Sequence, residues 1–224
     1  MQRPITTLFM IMSLDGKIST GSTDNMDIDK DFPTINGLKE GLHQYYEIKQ
    51  TTDLWSLNLG KVQSKIGVND QKTPVSFVII DNNHLNENGV KYFCELSKNF
   101  VLITINKNHP ALKMKEDNLS IILQERLSLA EALKALKKNY NCERLTIQSG
   151  GTLNSLFIRE KLIDYVDIVV APALIGGENT STLMDGESLA KIEDLDKIGI
   201  LELENVIKLD NSYLRLQYKV KNHV

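Results

Sequence analysis

The residues best placed to do chemistry begin at a pair of glycines. In Leu145-Thr-Ile-Gln-Ser-Gly-Gly-Thr-Leu-Asn154, Leu145 and Ile147 alternate with polar residues as a short strand does, and Gly150-Gly151 then removes both side chains where the chain turns. Leu153, Leu156, Phe157 and the pair Leu162-Ile163 follow at helix-like intervals, with Thr152 and Asn154 as polar residues suited to a first turn. A strand that ends in glycines and opens a helix presents free backbone N–H groups and the positive end of the helix dipole, which together seat a phosphate. The same pair also serves as a plain tight connection. Neither the G-x-G-x-x-G fingerprint nor a Walker-type G-x-x-x-x-G-K-[ST] occurs in the chain.

Three further stretches lie at strand ends. Ser13-Leu-Asp-Gly-Lys-Ile-Ser-Thr-Gly21 leaves an apolar run with Ser13, Asp15 and Lys17 close together, in the position where strand-helix sheets meet ligands; a solvated loop is the alternative. Gly60-Lys61 follows the alternating stretch Asp53–Leu59 and adds a cation to a second strand-glycine connection. Pro172-Ala-Leu-Ile-Gly-Gly177 ends another strand in a sharp bend that needs no ligand to explain it. His109 has no second histidine at metal spacing and reads as a surface residue, and Cys94 and Cys142 read as reduced, partly buried thiols. No metal is expected.

The elements that must hold these groups alternate between strand and helix. Ile5–Met12, Pro74–Ile80, Phe100–Ile105 and Val166–Ala171 are apolar runs of buried strands, and Leu119–Leu123 adds another. Helical spacing runs through Leu38, Leu42, Tyr45, Tyr46 and Ile48, through residues 89–97, and from Leu127 to Leu136 with Ser128 as N-cap. Residues 21–32 read as a surface loop, and Leu195–Leu209 with Tyr213–Val220 as two long strands in a hairpin. The pattern predicts one α/β domain over residues 1–224, with a mixed, mostly parallel sheet and a C-terminal antiparallel hairpin. Composition agrees with an ordinary globular protein: 42% hydrophobic, 25% charged and a net charge of -3, which gives nucleic acid or an anionic membrane no basic face. No apolar run approaches the roughly 20 residues of a membrane span, and no signal segment is evident, so the cytoplasm is expected.

Taken together, Met12-Ser-Leu-Asp-Gly-Lys-Ile18, Gly150-Gly-Thr-Leu-Asn154 with Leu162-Ile-Asp164, and Ala171-Pro-Ala-Leu-Ile-Gly-Gly177 resemble the riboflavin-biosynthesis pyrimidine reductase family. This family is the C-terminal half of the bifunctional deaminase-reductase. The resemblance implies a dihydrofolate-reductase-like three-layer fold, a homodimer, and NADPH lying across the carboxyl ends of the sheet. By the same resemblance Ser149, Gly150, Gly151, Thr152 and Leu153 hold the pyrophosphate, and Gly60, Lys61, Thr104 and Lys107 lie toward the adenosine phosphates. Lys61 and Lys107 are the cations expected at the 2′-phosphate, where relatives use the two-pronged arginine. Ser13, Asp15 and Lys17 with Gly176 and Gly177 form the substrate side, Lys17 being the candidate proton donor and Asp15 the group expected to orient it.

The activity so implied is hydride transfer that converts the ribosylamino sugar of a pyrimidine phosphate to a ribitylamino chain. Two departures keep other readings open: Ser149 stands where the pathway enzymes commonly carry Glu, and Tyr165 where an acid follows L-I-D. The alternatives are a reductase of another pterin- or pyrimidine-like compound and a non-catalytic nucleotide-binding module.

Overall fold

A computed structural model describes residues 2–59 and 72–221, so Gly60 and Lys61 lie outside the described residues. In chain order the strands are β1 (Ile5–Ser13), β2 (Trp55–Leu59), β3 (Ser76–Ile80), β4 (Phe100–Thr104), β5 (Leu119–Leu123), β6 (Arg144–Ile147), β7 (Tyr165–Ala171), β8 (Leu201–Lys208) and β9 (Leu214–Val220). The α-helices are α1 (Ile28–Asp31), α2 (Lys39–Lys49), α3 (Glu87–Leu96), α4 (Leu129–Tyr140) and α5 (Gly151–Arg159). They group into two compact units, one of residues 1–5 and 53–149, the other of residues 6–52 and 150–224.

In the first unit the strands run β5-β4-β3-β2-β6, every pairing parallel. Phe100–Thr104 is buried at all five positions, as a continuous apolar run covered on both faces must be. Phe93 of α3 packs its ring 5.5 Å from Phe100 and 5.9 Å from Phe77. Ser128 caps α4 by accepting from the Glu131 N–H, and the helix ends where Asn141 turns left-handed at φ 53°.

The second unit carries the mixed part. β1 and β7 pair in parallel, then β7-β9 and β9-β8 are antiparallel, with a bulge between Leu203 and Asn205. Its core lies between α2 and these strands, where Phe9 stacks on Tyr45 at 5.3 Å and the buried Tyr213 hydroxyl donates to Leu38 O at 2.8 Å. The expected α/β class, with parallel strands first and an antiparallel hairpin last, is the class observed.

Three local expectations change. The segment read as loop over residues 21–32 ends in α1, capped by the Asp27 carboxylate on the Asp29 N–H. The hairpin starts at Leu201 rather than Leu195, because Ile192–Lys197 coils into a 3-10 helix whose Asp194 accepts backbone N–H groups. His109 is no surface residue: it is fully buried, with Nε2 3.1 Å from Asp81 Oδ2 and Nδ1 accepting the Ala111 N–H. Asp81 is buried too, and it faces His84 Nδ1 at 2.9 Å with its other oxygen. Cys94 and Cys142 are free and buried, and burial pushes their thiols up to about 11 and about 12.

Candidate active site

The second unit gathers most of the predicted residues. Ser13 closes β1 buried, and the chain turns tightly after it: Gly16 N–H donates to Ser13 O and Lys17 N–H to Ser13 Oγ, each at 2.9 Å. The Ser13 hydroxyl donates in turn to Asp15 Oδ1 at 2.5 Å. Asp15 also receives the N–H groups of Gly176, at 2.6 Å, and Ile175, at 3.1 Å. The Ser13 hydroxyl first, and then the Gly176 and Ile175 amides, hold the Asp15 carboxyl down to about 2.

Lys17 turns to the same neighbouring segment but to different groups. Its Nζ donates to Gly177 O at 2.6 Å and to Thr180 O at 2.9 Å. Gly176 and Gly177 sit at φ +71° and +86°, a left-handed pair that lets successive residues offer an N–H to Asp15 and a C=O to Lys17. Among the described residues no hydrogen bond joins the two side chains, and each is fixed by backbone of the 175–180 segment.

That segment continues as a strap. Ile18 N–H donates to Ser181 O, Leu183 N–H to Gly16 O, and Lys17 pairs with Thr182 in an antiparallel bridge. Asp185 closes the strap by accepting the Thr182 hydroxyl at 2.6 Å and its N–H at 3.1 Å. The strap packs against Gly151 so closely that a Cβ there would stand 2.3 Å from Thr182 O. Asn154, read from the sequence only as a first-turn residue, is fully buried and donates through Nδ2 to Leu183 O at 3.0 Å. Its sequence signal was slight: a polar side chain on the helix face shared with the buried Ser155 and Phe157.

The glycine bend opens α5 as its residue types predict. Gly150 is the N-cap, without a side-chain cap, and its carbonyl accepts from Leu153 and Asn154. The N–H groups of Gly150, Gly151 and Thr152 meet no acceptor among the described residues, and they point from the positive end of a nine-residue helix. Leu153 and Ser149 are buried, Leu153 behind the bend and Ser149 immediately before it. Elsewhere in this unit an open cavity of about 640 Å³ is lined by Thr20, Asp31, Phe32, Ile35, Pro172 and Ile175 among others.

In the first unit Thr104 is buried at the end of β4. Its hydroxyl donates to Asn82 Oδ1 and accepts from the Asn106 N–H, both at 3.1 Å, so it braces the turn that carries the exposed Lys107. Among the described residues no cluster of three His, Cys, Asp or Glu is placed to hold a metal ion.

Comparison with known proteins bears on all of this. The family model of the RibD C-terminal domain matches residues 4–211. The 2,5-diamino-6-ribosylamino-4(3H)-pyrimidinone 5′-phosphate reductase of Methanothermobacter thermautotrophicus is 24% identical over 98% of this chain and 99% of its own. The protein of the same name from Archaeoglobus fulgidus is 32% identical over 44% of this chain, a match that spans 48% of that relative's length. Among solved structures, Acinetobacter baumannii RibD superposes with a TM-score of 0.69 at 18% identity, covering 98% of this chain and 59% of that one. Enterococcus faecalis dihydrofolate reductase shares the fold at a TM-score of 0.52 and 12% identity, over 97% of this chain and 96% of its own. With a family model matched over residues 4–211, the chain belongs to the RibD C-terminal domain family.

Proposed function

We propose that this chain is an NADPH-dependent oxidoreductase that reduces a ribosylaminopyrimidine phosphate of the riboflavin pathway by hydride transfer. The observation that carries the reading is the bend at Gly150–Thr152. Its three unspent N–H groups suit a diphosphate, and they occur within the family's own glycine motif. The bound nicotinamide cofactor supplies the hydride. The protein supplies position and a proton: Lys17 spends two of its three N–H bonds on Gly177 O and Thr180 O, and the third serves the oxygen of the opening sugar ring. Asp15 keeps its charge on Ser13 and the 175–176 amides, which fixes the loop rather than the proton.

The cavity bordering Ile175 gives a heterocycle room beside this loop; its volume falls in the range of small-molecule sites, about 300–1,000 Å³. Gly176 and Gly177 directly follow its lining residue Ile175, and their role on the substrate side, like those of Thr104 and Lys107 at the adenosine end, rests on the family resemblance. We further propose that residues 1–224 act as one reductase domain, in the cytoplasm, as a homodimer. Exposed Leu201, Leu203 and Val206 on the edge strand β8 support a covering partner.

The test is NADPH consumption on addition of the diaminopyrimidine ribosyl phosphate, with a product heavier by two hydrogens, and the same assay with NADH. The buried Ser149 where relatives carry Glu favours a second reading, a cofactor-binding module without turnover. Tight NADPH binding with no consumption on any pyrimidine or pterin would establish that reading and remove the first.

A further inference from the structure

We propose that Asn154 is a positioning residue that sets where Lys17 sits, acting through Leu183. Leu183 is gripped at both of its backbone groups. Its N–H donates to Gly16 O at 2.9 Å, inside the Ser13–Lys17 turn, and its C=O accepts from Asn154 Nδ2 at 3.0 Å. One residue thus ties the loop that carries Lys17 to helix α5. The carbonyls that receive the Lys17 ammonium, Gly177 O and Thr180 O, belong to the same strap, and Ile18 N–H donates to Ser181 O within it at 3.0 Å.

Asn154 is suited to the task because it is fully buried on a regular helix. A buried amide cannot trade its bond for water, so the Leu183 carbonyl has a fixed seat rather than a solvent-averaged one. The strap itself is largely exposed between Gly176 and Asn179, and it takes its position from what it is bonded to. Asp185 ties Thr182 only within the strap; Asn154 ties it to the scaffold. Sites whose reacting group is held by such a supporting bond lose rate steeply when it is cut, since a shift of about 1 Å can cost about 100-fold.

The inference rests on the reading that Lys17 serves the reaction, and the experiment separates the two. Asn154→Ala is compared with wild type and with Asn118→Ala, which removes a similar amide donating to Cys94 O and Ser97 O in the other unit. Three quantities are measured on the full chain: amide hydrogen exchange at Ile18 and Leu183, NADPH affinity by fluorescence titration, and kcat and KM with the pyrimidine phosphate. For Asn154→Ala we expect faster exchange at both amides, a kcat lower by about 10- to 100-fold, and an NADPH affinity within about twofold of wild type. Asn118→Ala should leave the exchange at those two amides and kcat unchanged. Should Asn154→Ala not fold, Asn154→Ser, whose hydroxyl is too short to reach Leu183, is read in the same way. The proposal is overturned if the two amides exchange as in wild type, if kcat falls no further than in Asn118→Ala, or if NADPH affinity falls as much as kcat. If wild type turns over no pyrimidine while the two amides respond as expected, the functional reading fails and the positioning role stands.

Discussion

Replacing Gly151 with alanine sets two effects of opposite sign against each other. In an ordinary helix the exchange would stabilise by about 1 kcal/mol, since glycine is the poorer helix former. Here the added Cβ would stand 2.3 Å from Thr182 O and 2.5 Å from Asp185 Oδ2, about 1 Å inside the lower limit of the 3.4–4 Å of ordinary contact. Overpacking of this kind costs about 1–3 kcal/mol, and the upper part of the range applies because the first obstacle is main chain. The strap cannot yield freely either, being bonded to Gly16 on one side and Asn154 on the other. Repulsion wins, and a net loss of about 1–2 kcal/mol is expected, which in a chain of this length lowers Tm by about 2–8 °C. The displaced strap also carries the carbonyls that hold Lys17, so kcat should fall by about 10-fold or more. Differential scanning fluorimetry and NADPH consumption check the two parts. Adding Asp185→Ala to Gly151→Ala removes the side-chain obstacle and leaves the carbonyl, so rescue should be incomplete. A Gly151→Ala protein that melts at or above the wild-type temperature with unaltered kcat would refute the clash and the coupling derived from it.

Two other perturbations follow from the same geometry. The Asp15 carboxyl is held at about 2 in the folded chain against an ordinary 3.8, so its bonds stabilise the fold above pH 3.8 and are lost as the pH falls toward 2. Urea midpoints of wild type and Asp15→Asn should therefore differ by a constant amount near neutrality and converge at the acid end; a gap that widens on acidification would contradict the sign. His109→Ala opens a cavity and strips one partner from buried Asp81, a loss of about 2–4 kcal/mol. His84→Ala, whose ring is 48% exposed, should cost less than about 1 kcal/mol, and equal losses in chemical denaturation would show that burial does not govern this cluster.

The amino-acid sequence by itself determined most of the elements, though not helix α1 or the start of the C-terminal hairpin. The five buried positions of β4, the Ser128 cap of α4 and the glycine pair opening α5 are set by neighbours within a few residues, so spacing and residue type report them directly. The family motifs are legible for the same reason, each being a short run at a strand end. Tertiary structure alone decided what those runs touch. His109 is an isolated histidine in sequence and finds its buried partner in Asp81, 28 residues earlier and directly after β3. Asp15 and Lys17 lie two residues apart, yet each takes its bonds from backbone about 160 residues downstream. Asn154 acquires its partner at Leu183, 29 residues on, across a strap whose residues carry no periodicity. Local sequence encodes which dihedral angles and faces a segment prefers. The partner that satisfies a buried amide, a carboxylate or an ammonium is chosen when distant segments pack, because only then does losing water make one protein atom the best acceptor or donor left.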